Sequence, residues 1–148
     1  MTKQQLQEEL KQSMLLKDAF KTSVLRMLIS AIGYLEIQKG LGYQASEEDI
    51  MSAIEKQVKQ RKDSIEQYEK AGRNDLVDKE KKELELLEKY LPEQMGEEEI
   101  RNLIKEAISQ TGATTMADMG NVMGALMPKT KGKADGSLVS KIVREELS

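Results

Sequence analysis

Apolar residues recur three and four positions apart along almost the whole chain, and no stretch alternates apolar with polar as a half-buried strand would. That pattern restricts the chain to packed amphipathic helices. Start and stop signals divide it. Thr2 with Gln5 forms a capping-box pattern for a first helix, whose apolar face runs through Leu6, Leu10, Met14 and Leu15. Asp18 can cap a second helix. Its apolar set is dense (Phe20, Val24, Leu25, Met27, Leu28, Ala31, Ile32, Leu35), which predicts a central position. Gly40-Leu41-Gly42 ends it. Ser46 opens a third helix with Ile50, Ile54, Val58, Ile65 and Tyr68 on its stripe, stopped at Gly72. Asn74 is read as the cap of a fourth, lined by Leu76, Glu80, Leu84, Leu87 and Leu91 and closed by Pro92.

The second part follows the same grammar. Glu97, Glu98 and Glu99 stand in a first turn, where the helix dipole favours acids. Ile100, Leu103, Ile104, Ala107 and Ile108 make its face, and Thr111-Gly112 ends it. Thr115 starts a short helix carrying Met119, Val122, Met123 and Leu126, which Pro128 is expected to stop. Asp135-Gly136-Ser137 introduces a last helix with Leu138, Val139, Ile142, Val143 and Leu147 inward. The expected architecture is all-α: an N-terminal four-helix part, residues 1–92, followed by a small three-helix C-terminal domain, residues 93–148.

Composition bounds the chemistry. The 148 residues are 39% hydrophobic and 33% charged, a balance that folds with a wet surface. With one Phe, four Tyr and no Trp, the core falls to aliphatic side chains and nine Met. There is no His and no Cys, which excludes the Ser-His-Asp and Cys-His arrangements and leaves any zinc site to carboxylates alone. No Gly-rich phosphate loop of standard spacing occurs. No catalytic residue, metal site or cofactor is therefore assigned. The first residues are polar and lack an apolar signal core, and no apolar run approaches the ~18 residues of a membrane span. A cytoplasmic protein with no membrane contact is the expectation.

Three charged features need weighing. Arg61 lies on the buried stripe of the third helix and Glu80 on that of the fourth, so an interhelical ion pair such as Arg61 with Glu80 is the structural reading, and an anion site the functional one. The basic run Lys56, Lys59, Arg61 and Lys62 interleaves with Glu55, Asp63, Glu66 and Glu69, the pattern of a solvated face. Most informative is the run Met127-Pro128-Lys129-Thr130-Lys131-Gly132-Lys133-Ala134-Asp135-Gly136-Ser137. Lysines at alternating positions beside glycines, just before a helix N-terminus, can meet an anion. They can equally be a solvated connector. On a chain of net charge −3, three lysines neutralise roughly three phosphates, so such contact would be weak alone.

The stretch Val122-Met123-Gly124-Ala125-Leu126-Met127-Pro128-Lys129, then Lys131-Gly132-Lys133-Ala134-Asp135-Gly136 and Leu138-Val139, closely resembles the C-terminal domain of the YqeY family, shared with the tail of the B subunit of the tRNA-dependent amidotransferase. Lys56 to Arg73 and Tyr90-Leu91-Pro92 are similar to the N-terminal part of the same family. The resemblance implies a tRNA-contacting module without the catalytic body of that subunit. A glutamine-dependent carbon–nitrogen ligase activity, if ascribed to such a chain, would be inherited from the shared tail. On this basis the expected role is a non-catalytic tRNA-binding or tRNA-amidotransferase-associated accessory protein, with Lys129, Lys131, Gly132, Lys133 and Arg144 as the tRNA- or anion-binding residues. The partners would be tRNA, the amidotransferase or another protein. The alternative is a protein-interaction adaptor with no nucleic-acid role, motivated by the stripe Met116, Met119, Met123, Met127, which otherwise reads as core.

Overall fold

A computed structural model describes residues 1–148. All its regular structure is helical: α1 (Lys3–Leu15), α2 (Ala19–Lys39), α3 (Glu47–Lys70), α4 (Asn74–Glu88), α5 (Glu97–Thr111), α6 (Met119–Thr130), entered through a 3-10 turn at Met116–Asp118, and α7 (Gly136–Leu147). No helix is long and apolar enough to cross a membrane. The chain divides into two compact units, Met1–Leu91 and Pro92–Ser148.

In the first unit α1 packs on α2, α2 on α3 and α3 on α4. Leu6, Val24, Leu25, Leu28, Ile32, Ile50, Ile54, Val58 and Leu87 close the core. Each such side chain stabilises the unit by about 1.5–3 kcal/mol relative to exposure. The caps form locally. Thr2 and Gln5 exchange hydrogen bonds, Asp18 accepts from the Lys21 N–H, and Ser46 and Asp49 complete a second box. After α3, the Arg73 N–H donates to the Tyr68 carbonyl and the Gly72 N–H to Glu69, with Gly72 left-handed at φ +70°. This is the Schellman closure that glycine makes cheap.

Four details depart from the sequence expectation. On α1 Leu6 and Leu10 face the core as expected, but the next inward residue is Ser13, whose hydroxyl meets the Thr22 hydroxyl at 2.9 Å, whereas Met14 and Leu15 are exposed. Asn74 lies inside α4, and Arg73 occupies the cap position without a side-chain cap bond. The acid facing Arg61 is Glu83, one turn beyond Glu80. And α2 is central on one side only: Phe20 and Met27 are exposed, as are Tyr34, Ile37 and Leu41 beyond them.

The second unit packs α5, α6 and α7 mutually around Ile100, Ile104, Ala107, Val122, Leu126, Val139, Ile142, Val143 and Leu147. Arg101 ties α5 to α7, reaching Glu97 at 2.9 Å, Glu145 at 2.8 Å and Glu146 at 3.2 Å. Pro128 does not stop α6, which runs two residues further. Proline costs the helix a bond to the residue four before it, here the Gly124 carbonyl, and Gly124 is exposed, which keeps the unpaired acceptor out of the core. Leu138, expected inward, is partly exposed on α7.

Candidate functional site

The basic turn between α6 and α7 is built by backbone constraints. Lys131 caps α6 with its N–H on the Met127 carbonyl, and the Lys133 and Ala134 N–H groups both donate to the Thr130 carbonyl. Gly132 is buried and left-handed at φ +77°. The segment leading into α5 clasps this turn. Gln94 Nε2 donates to the Gly132 carbonyl at 2.9 Å, and the Met95 N–H donates to the Lys133 carbonyl at 2.8 Å. The glycine and lysine carbonyls of this loop thus hold the unit together, a role that sequence reading missed because Gln94 lies 38 residues away.

The side chains are dispersed in their tasks. Lys129 sits in the last turn of α6 with Nζ 3.9 Å from Glu106 on α5, a loose and half-exposed pair. Lys131 is exposed but engaged within the protein. Lys133 and Arg144 are exposed and make no ion pair. The N-terminus of α7 already holds an anion of the chain's own: the Asp135 carboxylate accepts from the Ser137 N–H at 3.0 Å. An incoming phosphate would have to displace it. The Met stripe divides likewise, with Met119 and Met123 packed against the core and Met116 and Met127 exposed.

The first unit carries two other polar assemblies. Arg61 and Glu83 are both buried, with Nε 3.3 Å from Oε2. The Nε–H is not aligned on the carboxylate, so the contact is Coulombic rather than a hydrogen bond. The terminal nitrogens of Arg61 bond elsewhere, Nη1 to Gln57 Oε1 at 2.7 Å and the Gln57 carbonyl at 3.3 Å, and Nη2 to Met27 Sδ at 3.3 Å. A cleft of about 610 Å³ is lined by Glu9, Asp18, Lys21, Lys82, Lys89 and Tyr90, among others. Here the Tyr90 hydroxyl donates to Glu9, and Lys21 lies 3.8 Å from the same carboxylate. Burial first, and then Glu9, hold the Tyr90 hydroxyl protonated well above the usual tyrosine range. Acids and bases alternate around the cleft, so no field of one sign builds up.

Two all-helical units, stapled by caps and interhelical ion pairs, define a small helical-bundle protein. More narrowly, the chain belongs to the YqeY family: the family profile, described as Yqey-like protein, matches residues 3–147. Among its relatives is the altered inheritance of mitochondria protein 41, mitochondrial, of Pyrenophora tritici-repentis, 34% identical over 95% of this chain and 77% of the relative. Proteins of the same name in Candida glabrata and Saccharomyces cerevisiae are 36% and 37% identical, over 60% and 58% of this chain. Those matches span only 48% and 46% of the relatives' own lengths.

These likenesses correct two expectations. The relatives are named for the inheritance of mitochondria, which overturns the tRNA-binding or amidotransferase-associated accessory role and its adaptor alternative. At the turn that motivated the tRNA reading, the N-terminus of α7 is already taken by Asp135. The cytoplasmic expectation is overturned as well, because the relatives are named mitochondrial proteins. The physical reason is that helical units with charged surfaces suit either compartment equally, so composition carries no address.

Proposed function

We propose that this chain is a counterpart of the mitochondrial YqeY proteins and serves the process for which they are named, the inheritance of mitochondria. The observation that carries this reading is the likeness to the Pyrenophora protein, which runs through both helical units rather than through one motif. Within that role we assign the turn at Lys131, Gly132 and Lys133 to an anionic ligand, with Arg144 a separate cation in the last turn of α7. Lys133 and Arg144 support this assignment because neither is spent on an internal carboxylate. Lys129, half engaged by Glu106, plays a lesser part.

The test is complementation in Saccharomyces cerevisiae lacking its own relative. The chain is expressed with a mitochondrial leader fused ahead of Met1 and, in parallel, without one. Restored mitochondrial inheritance is the expected result for the delivered protein. Accumulation in mitochondria without any restoration would overturn the reading. A Lys131→Ala, Lys133→Ala, Arg144→Ala variant carries the site assignment: lost rescue with intact helicity supports it, and full rescue removes the turn from the function.

A further inference from the structure

Arg61 joins three helices. Its guanidinium, on α3 and only 5% exposed, lies against Glu83 of α4 and donates from Nη2 to the sulfur of Met27 on α2. The bonding of this buried cation is incomplete. Nη1 has both oxygens of Gln57, but Nε has no aligned acceptor and Nη2 has a thioether, a weak one. A buried guanidinium donor bonded only to sulfur is served poorly, because an oxygen would hold it far better. Met27 is at the same time reachable from outside, being 39% exposed. The chain has no cysteine, so its thioethers are the side chains that peroxides oxidise most readily.

We propose that Met27 is a modification site, converted by hydroperoxides to the sulfoxide, and that Arg61 holds the product. The sulfur has two lone pairs, and Nη2–H occupies one. The other attacks the terminal oxygen of the peroxide. An S–O bond forms and the O–O bond breaks. The departing oxygen takes up the proton of the transferred one and leaves as water, or as an alcohol from an organic hydroperoxide. Sulfur loses two electrons and the peroxide gains them. The new oxygen is a strong acceptor, and the flexible Met side chain can turn it toward Nη2 in place of sulfur. A charge-assisted N–H···O bond then replaces N–H···S. Methionine oxidation ordinarily spoils an apolar contact. At Met27 it tightens the joint between α2 and α3 instead. Other exposed methionines lack this arrangement: Met14 lies 3.9 Å from the solvent-exposed Arg26, and Met116 and Met127 have no donor on their sulfurs.

The full chain is treated with graded hydrogen peroxide, and each methionine is followed by peptide mass mapping. Met27 should be converted alongside Met14, Met116 and Met127. Urea unfolding is then compared for the reduced and oxidised forms of the wild type and of Met27→Leu, which keeps every other methionine. Relative to that variant, oxidation should raise the folding equilibrium constant of the wild type about tenfold, the difference between a charge-assisted bond to oxygen and a weak one to sulfur. Met27→Gln puts an amide oxygen where the sulfoxide oxygen would lie, without any oxidant. It should unfold at higher urea than Met27→Leu. A Met27 that stays reduced once Met14 and Met127 are fully converted overturns the proposal. So does an oxidised wild type with no advantage over the oxidised Leu variant, or a Gln variant no more stable than the Leu one.

Discussion

Lys17 is the one non-glycine residue with positive φ, at +56°, and it sits where α1 turns into α2. Its N–H donates to Met14 and the Asp18 N–H to Ser13, so the turn is a Schellman closure with lysine in the place glycine prefers. A left-handed backbone costs a residue with a Cβ about 1–2 kcal/mol, part of which glycine returns through the freedom of the unfolded chain. Lys17→Gly should therefore raise stability by about 0.5–1 kcal/mol in urea melts. Arg61 presents the opposite case. Truncating it to Ala strands the buried Glu83 carboxylate, and the expected loss is about 3–5 kcal/mol. Replacing both, as Arg61→Met with Glu83→Leu, removes the stranded charge and should cost clearly less than Arg61→Ala alone. The two variants compared by chemical denaturation decide whether the pair stabilises or mainly specifies the register of α3 on α4. That an ion pair joins these helices was legible in the sequence. Its acid was not, because Glu80 and Glu83 lie on neighbouring faces of α4 and only the crossing of two helices selects between them.

At the scale of elements, α6 carries features that look self-defeating. Gly120 and Gly124 are exposed within it, and a methyl at either would touch nothing. Pro128 removes one of its hydrogen bonds. Gly124→Ala should stabilise the second unit by about 0.5–1 kcal/mol, read as a higher melting temperature. No gain, or a loss, would mean that the glycine answers a constraint outside the helix. The helix starts were the most legible features, since a cap and its partner lie three residues apart and bond locally: Thr2, Asp18, Ser46 and Asp135 all act as caps. The end of α6 was not. A proline near a C-terminus only weakens the last turn, and packing of Leu126 and Thr130 into the unit keeps that turn helical.

For the molecule as a whole, acid is the expected weak point. Asp49 is held well below the usual carboxylate range by Lys39, then Tyr43 and the Ser46 N–H. The Ala45 N–H and then Lys3 lower Glu36, and the Thr114 and Thr115 N–H groups lower Asp118. Each folded value lies below the unfolded one. Their stabilisation is therefore complete above the ordinary carboxylate pKa of about 4 and is lost as pH falls below it. Thermal melts should be level down to about pH 5 and fall steeply beyond. Asp49→Asn should lower the neutral plateau and flatten that acid limb, and an unchanged limb would exclude Asp49 as a contributor. Each unit also has a closed core of its own. Expressed separately, residues 1–91 should give a cooperative helical melt. Residues 92–148 should fold with marginal stability, as expected for a body below about 60 residues.

Periodicity and caps, both properties of neighbours along the chain, determined that this protein is all-helical, where its helices begin, and most of the aliphatic residues that fill its two cores. The family resemblance was legible for the same reason, being carried by a contiguous run of residues. Tertiary structure alone decided which face of an apolar helix stays wet, which acid meets Arg61, and that the carbonyls of the lysine–glycine turn bind Gln94 and Met95. Those outcomes depend on crossing geometry between segments far apart in sequence. A rotation of one helix by a single residue exchanges buried for exposed side chains while leaving the local pattern of apolar spacing intact.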